Sequence, residues 1–108
     1  MTSFSELYLQ ESRQVIEQID VTAVERVVAQ LVALKQRGGR LFLLGVGGGA
    51  GHASHAVNDF RKITDIEAYA PTDNVSELTA RTNDEGWDTV FASWLKGSRL
   101  QARDLIFV

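Results

Sequence analysis

The sequence predicts an α/β fold of three layers, with helices covering both faces of a parallel sheet. Three observations predict it. The run Arg40-Leu41-Phe42-Leu43-Leu44-Gly45-Val46 carries apolar side chains on consecutive residues without alternation. A strand buried on both faces, as in a parallel sheet, has that pattern. The segment Asp104-Leu105-Ile106-Phe107-Val108 is a second such run. Between the two lie stretches of helical apolar spacing, and strands alternating with helices imply a parallel sheet.

The elements follow in order. Ser3-Phe4-Ser5-Glu6 fits a capping box, and Phe4, Tyr8, Val15, Ile16 and Ile19 continue at roughly helical spacing. Thr22-Ala23-Val24-Glu25 fits a second box, ahead of Val24, Val27, Val28, Leu31 and Leu34, with Asp20 as a further cap candidate. Gly38-Gly39 stops this helix, and Lys35 and Arg37 suit its negative end. Residues 1–38 therefore read as a helical segment and residues 40–108 as an α/β core. After the strand at 40–46 comes a glycine-rich turn, then a helix from Ala50 to Ile63 with Ala53, Ala56, Val57 and Phe60 inward. Ile66 to Ala70 reads as a second strand, ended by Pro71. Asp73 to Arg81 reads as a short helix or turn region, and Thr82-Asn83-Asp84-Glu85 offers caps for a helix from Gly86 to Leu95. In that helix Trp87, Val90, Phe91 and Trp94 share one face, more in keeping with packing than with a sugar platform. Asp104 to Val108 is the third strand.

Composition narrows the function. The chain has 108 residues and a net charge of −3, with 44% apolar and 23% charged residues. These values exclude disorder and collagen-like sequence, and allow one domain without internal repeats or linkers. Mild acidity gives no reason to expect a nucleic-acid or membrane partner. No apolar run reaches the ~20 residues a bilayer span needs. The absence of cysteine excludes a disulfide framework and a thiol nucleophile. No basic stretch followed by an apolar one opens the chain, so a cytoplasmic location is the expectation.

Five of the nine glycines fall within Gly45-Val46-Gly47-Gly48-Gly49-Ala50-Gly51, between a strand and a helix. Such a turn lets backbone amides approach an anion, and the helix start adds positive potential. No Gly-Lys-Ser/Thr follows, so it is not a P-loop. Gly45, Gly47 and Ala50 fit the looser dinucleotide pattern, with Glu67 or Asp73 as the later acid, which leaves nucleotide binding as an alternative. On the next helix His52, His55 and Asp59 share one face. That set suits general acid/base chemistry or part of a metal site. The plainer alternative is a solvated face with Asp59 paired to Arg61 or Lys62.

The strand, the glycine-rich turn and the helix with His55 and Asp59 resemble the sugar isomerase (SIS) family of phosphosugar-binding domains, and within it the phosphoheptose isomerases. The resemblance extends to the leading helices, to Ala70-Pro71-Thr72-Asp73-Asn74, to Asn83-Asp84 before an aromatic helix, and to the strand from Asp104. It implies a three-layer SIS-like fold of the flavodoxin or Rossmann type. It also implies aldose–ketose isomerisation of a phosphorylated sugar through an enediol.

Within the resemblance, Asp59 takes the place of the acid/base Glu, and His55 that of a zinc-binding His. Zinc, where present, would be held by His55 and Asp59 with further ligands from a later helix. Gly45, Val46, Gly47, Gly48, Gly49, Asn83 and Asp84 match substrate-pocket positions. The family turn usually reads Gly-Asn-Gly-Gly-Ser, so Val46 and Gly49 depart from it. The family also implies a homo-oligomer, a tetramer or dimer. Its third strand runs into a Ser/Thr-rich phosphate loop, so residues 1–108 are expected to be the N-terminal part of one SIS domain. The 108 residues alone are expected not to turn over. A non-catalytic phosphosugar-sensing or protein-interaction module is the competing expectation on the same fold.

Overall fold

Ser3 caps the first helix, α1 (Phe4–Glu17), in a computed structural model that describes residues 1–108. Its hydroxyl accepts from the Glu6 amide at 3.2 Å, and the Glu6 carboxylate accepts from the Ser3 amide at 2.7 Å. The capping box is therefore formed at both ends. The second box is not. Helix α2 (Val21–Gln36) begins one residue before Thr22, and Asp20 is the cap, its carboxylate accepting from the Ala23 amide at 3.1 Å. Thr22 thus lies within the first turn and Glu25 just beyond it. At the other end Gly38 adopts φ +65°, and the amides of Gly38 and Gly39 donate to Lys35 and Leu34. This left-handed closure satisfies carbonyls the helix leaves free.

The chain forms two compact units, residues 1–31 and residues 32–108. In the first no side chain is buried, and Phe4, Tyr8, Val15, Ile16, Val24 and Val28 are exposed. The second holds the core.

That core is a three-stranded parallel sheet in the order β2-β1-β3, from β1 (Leu41–Leu43), β2 (Ala68–Tyr69) and β3 (Leu105–Phe107). The central position of β1 explains its unbroken apolar run, since Leu41, Phe42 and Leu43 are all buried. Each such side chain stabilises by about 1.5–3 kcal/mol when taken out of water. Successive side chains point to opposite faces. Phe42 meets the Trp94 ring of α5 (Val90–Gly97) edge-on at 5.7 Å, with Tyr69 stacked beside it at 6.0 Å. On the other face, Leu43 and Phe107 border Ala53 and Ala56 of α3 (Gly48–Ile63). Helices therefore flank both faces, as the sequence predicts.

Three expectations are corrected. The strand from Asp104 is not buried: Ile106 is 40% and Phe107 43% exposed. β3 pairs with β1, while α3 packs on β1 and β2, so within residues 1–108 the apolar run of β3 has less helical cover. The region after Pro71 is a 3₁₀ turn (Pro71–Asp73) followed by a full helix, α4 (Val75–Glu85), capped by Asn74 through the Glu77 amide at 3.1 Å. Thr82 to Glu85 therefore form the last turn of α4 and cap nothing. The aromatic segment divides into a 3₁₀ turn (Trp87–Thr89) and α5, and Gly86 at φ +95° separates it from α4.

Candidate functional site

In this topology β1 connects to β2 on one side, while β3 lies on the other. The carboxyl ends of β1 and β3 thus flank a crevice where the connections diverge. Open α/β sheets bind ligands at such switch points. The glycine-rich turn leaves β1 at this place.

Its glycines divide into two kinds. At Gly45 a β-carbon would lie 2.2 Å from the Gly49 carbonyl oxygen, so the fold itself forbids a side chain there. Gly47 adopts φ +59° and ψ −123°, which L side chains rarely reach. Gly48, Gly49 and Gly51, by contrast, have open space where a side chain would be. The helix starts at Gly48, two residues earlier than its apolar spacing predicts, so Gly48 and Gly49 form the first turn of α3. The amides of Gly49 and Ala50 donate to Val46 and Gly47, whereas those of Gly47 and Gly48 donate to no acceptor in the chain. Two free amides at a helix start are a ready anion cradle. Val46 is exposed beside them.

A cleft of about 270 Å³ adjoins the turn, lined by Leu43, Leu44, Gly49, His52, Ala53, Ala56, Phe107 and Val108. Further along α3, His55 Nε2 lies 3.3 Å from Asp59 Oδ2. The partner of Asp59 is therefore His55, not Arg61 or Lys62; Asn58 also donates to Asp59 at 3.3 Å. The pair is open to solvent, with side-chain exposures of 76% and 47%. At 1.5 Å per residue, Asp59 lies about 16 Å along the axis from the first residue of α3. Asn83 and Asp84 are exposed in α4, where Asn83 donates to Asp84 at 3.0 Å. No hydrogen bond or ion pair links them to the glycine turn or to His55 and Asp59.

Zinc takes three or four protein donors. His55 and Asp59 supply two on one helix face, and no group of three or more His, Asp or Glu side chains forms. These residues fit a share of a zinc centre and do not assemble one.

Sequence reasoning missed the role of Arg61. It donates to the Ala68 carbonyl at 3.2 Å and lies 5.3 Å over the Tyr69 ring, tying α3 to β2. It also borders an open cleft of about 540 Å³ with Asp73, Asn74 and Trp94. No local pattern signals a helix-to-strand tie of this kind.

Against known proteins, no family model matches the chain. A probable phosphoheptose isomerase of Thermoplasma volcanium is 30% identical over 94 residues, spanning 82% of this chain and 48% of the relative. The phosphoheptose isomerase of Roseiflexus is 40% identical over 77 residues, 67% of this chain and 37% of the relative. That of Mycobacterium bovis is 34% identical over 100 residues, 88% of this chain and 51% of the relative. The solved structure of phosphoheptose isomerase from Neisseria gonorrhoeae superposes with a TM-score of 0.81 at 27% identity, over 89% of this chain and 51% of that one. No helix is long and apolar enough to cross a membrane. The chain carries a phosphoheptose isomerase-like SIS fold and spans about half the length of the relatives it matches.

Proposed function

We propose that the chain binds a phosphorylated sugar at the carboxyl end of β1 and belongs to a phosphoheptose isomerase-like aldose–ketose isomerase. The observation that carries this is the pair of unused amides at Gly47 and Gly48, set at the start of α3 and at the switch point of the sheet. They can hold the anionic or oxyanionic part of a sugar phosphate without a cation. Isomerisation moves a proton between adjacent carbons through an enediol. Asp59 is the proposed acid/base, removing the proton from one carbon and returning it to the next. His55, 3.3 Å away, would orient the carboxylate. Zinc, where bound, would polarise a substrate oxygen, held by His55 and Asp59 with donors from outside these residues. The exposed apolar side chains of residues 1–31, among them Phe4, Tyr8 and Val15, support self-association into a dimer or tetramer.

One observation favours a second reading, a phosphosugar-binding module without turnover: Asp59 lies about 16 Å along the helix from the glycine turn. A thermal-shift and turnover panel of ketose and aldose phosphates, run on a protein of the relatives' full length that contains these residues, tests both. A shift with phosphosugar together with isomerisation supports the enzyme. A shift without isomerisation supports the module. A shift with NAD or FAD and none with phosphosugar overturns both.

A further inference from the structure

His52 takes no part in the His55–Asp59 contact or in the hydrogen bonds of the glycine turn. It shares one face of α3 with His55 and Asp59, yet of these three only His52 lines the cleft at the ends of β1 and β3. It sits one turn into the helix, about 6 Å along the axis from Gly48. The other walls of the cleft are Gly49 and the apolar side chains Leu43, Leu44, Ala53, Ala56, Phe107 and Val108. The imidazole is therefore the polar side chain available to a ligand there. His55 and Asp59 are engaged with each other, whereas neither ring nitrogen of His52 has a hydrogen-bond or ion-pair partner in the chain. A neutral imidazole donates at one nitrogen and accepts at the other, which matches a sugar hydroxyl.

We propose that His52 is a specificity-determining contact to the sugar, holding a hydroxyl or carbonyl oxygen while the Gly47 and Gly48 amides hold neighbouring sugar oxygens. This rests on phosphosugar binding at the glycine turn and names a side chain that reads the sugar. Because the residue is exposed and α-helical, Ala and Gln are tolerated there by the backbone. Calorimetric titration with sedoheptulose 7-phosphate should show His52→Ala binding about tenfold more weakly, the loss of one neutral hydrogen bond. His52→Gln should recover part of that loss. Ser54→Ala, exposed on the same helix, should bind as the unaltered chain does. In the unaltered chain the His52 ring resonances should move at saturation. If the Gly47 and Gly48 amide resonances respond while the His52 ring does not, and His52→Ala binds unchanged, the role of His52 is overturned and phosphosugar binding stands. If neither responds, both fall.

Discussion

The Arg40 guanidinium lies 2.8 Å from the carboxylate of Asp104, whose side chain is wholly buried, and joins the start of β1 to the start of β3. The carboxylate also accepts from the amides of Arg40 and Gln101, each at 2.9 Å. The guanidinium donates in addition to the Ser98 and Arg99 carbonyls at 3.0 Å and covers the Phe42 ring. Removing one partner leaves the others unpaired and desolvated. Asp104→Ala should therefore destabilise the α/β unit by roughly 3 kcal/mol, read from the urea midpoint.

The same pair sets a pH dependence. Burial pushes the Asp104 carboxyl up, but donation from the Arg40 side chain and from the Arg40 and Gln101 amides outweighs it and leaves the group below its ordinary value. A carboxyl lowered on folding adds stability above its unfolded value, about 4. That stability is lost as pH falls through the lower folded value. Unfolding free energy should thus decline on acidification more steeply in the unaltered chain than in Asp104→Ala. Parallel pH profiles would contradict this.

Gly45 and Gly49 should respond oppositely to alanine. At Gly45 the new carbon meets backbone oxygen at 2.2 Å, and backbone cannot swing aside as a flexible side chain can. Gly45→Ala should cost about 2 kcal/mol or more, within the 1–3 typical of forced overpacking. At Gly49 there is open space in a helical turn, so Gly49→Ala should be neutral or stabilising by up to about 1 kcal/mol. Thermal melts of the two variants decide it. If Gly49→Ala also weakens phosphosugar binding, the position serves a ligand and not the fold.

Trp94 and Trp87 should also separate. Trp94 is partly buried and edge-on to buried Phe42, so Trp94→Ala should cost about 3 kcal/mol. Trp87 is 46% exposed, its ring edge-on to Phe91 at 5.6 Å. Its truncation should cost about 1 kcal/mol. Chemical denaturation of each variant measures both.

Legibility in the sequence tracks the range of the interaction. Ser3 and Glu6 are three residues apart, so their cap is written locally and forms as read. Asp20 and Thr22 both fit a cap, and local chemistry does not separate them. The central strand is legible because burial on two faces forces apolar residues on both. β3 has the same composition, so its exposure follows from how little helix packs on it within residues 1–108 and not from its own residues. Arg40 and Asp104 are 64 residues apart and Arg61 reaches across to β2, so both ties exist only once the sheet is assembled. At the glycine turn, the excess of glycine marks the place. Which glycines the backbone needs, and which leave room, emerges from the geometry at Gly45 and Gly47 against Gly48 and Gly49.

The most direct test of phosphosugar binding at this turn is an amide-resolved NMR titration of the chain with sedoheptulose 7-phosphate. Saturable movement of the Gly47 and Gly48 amide resonances, with NAD producing none, is the expected result. Amides at Gly47 and Gly48 that stay unmoved in saturating phosphosugar would contradict it.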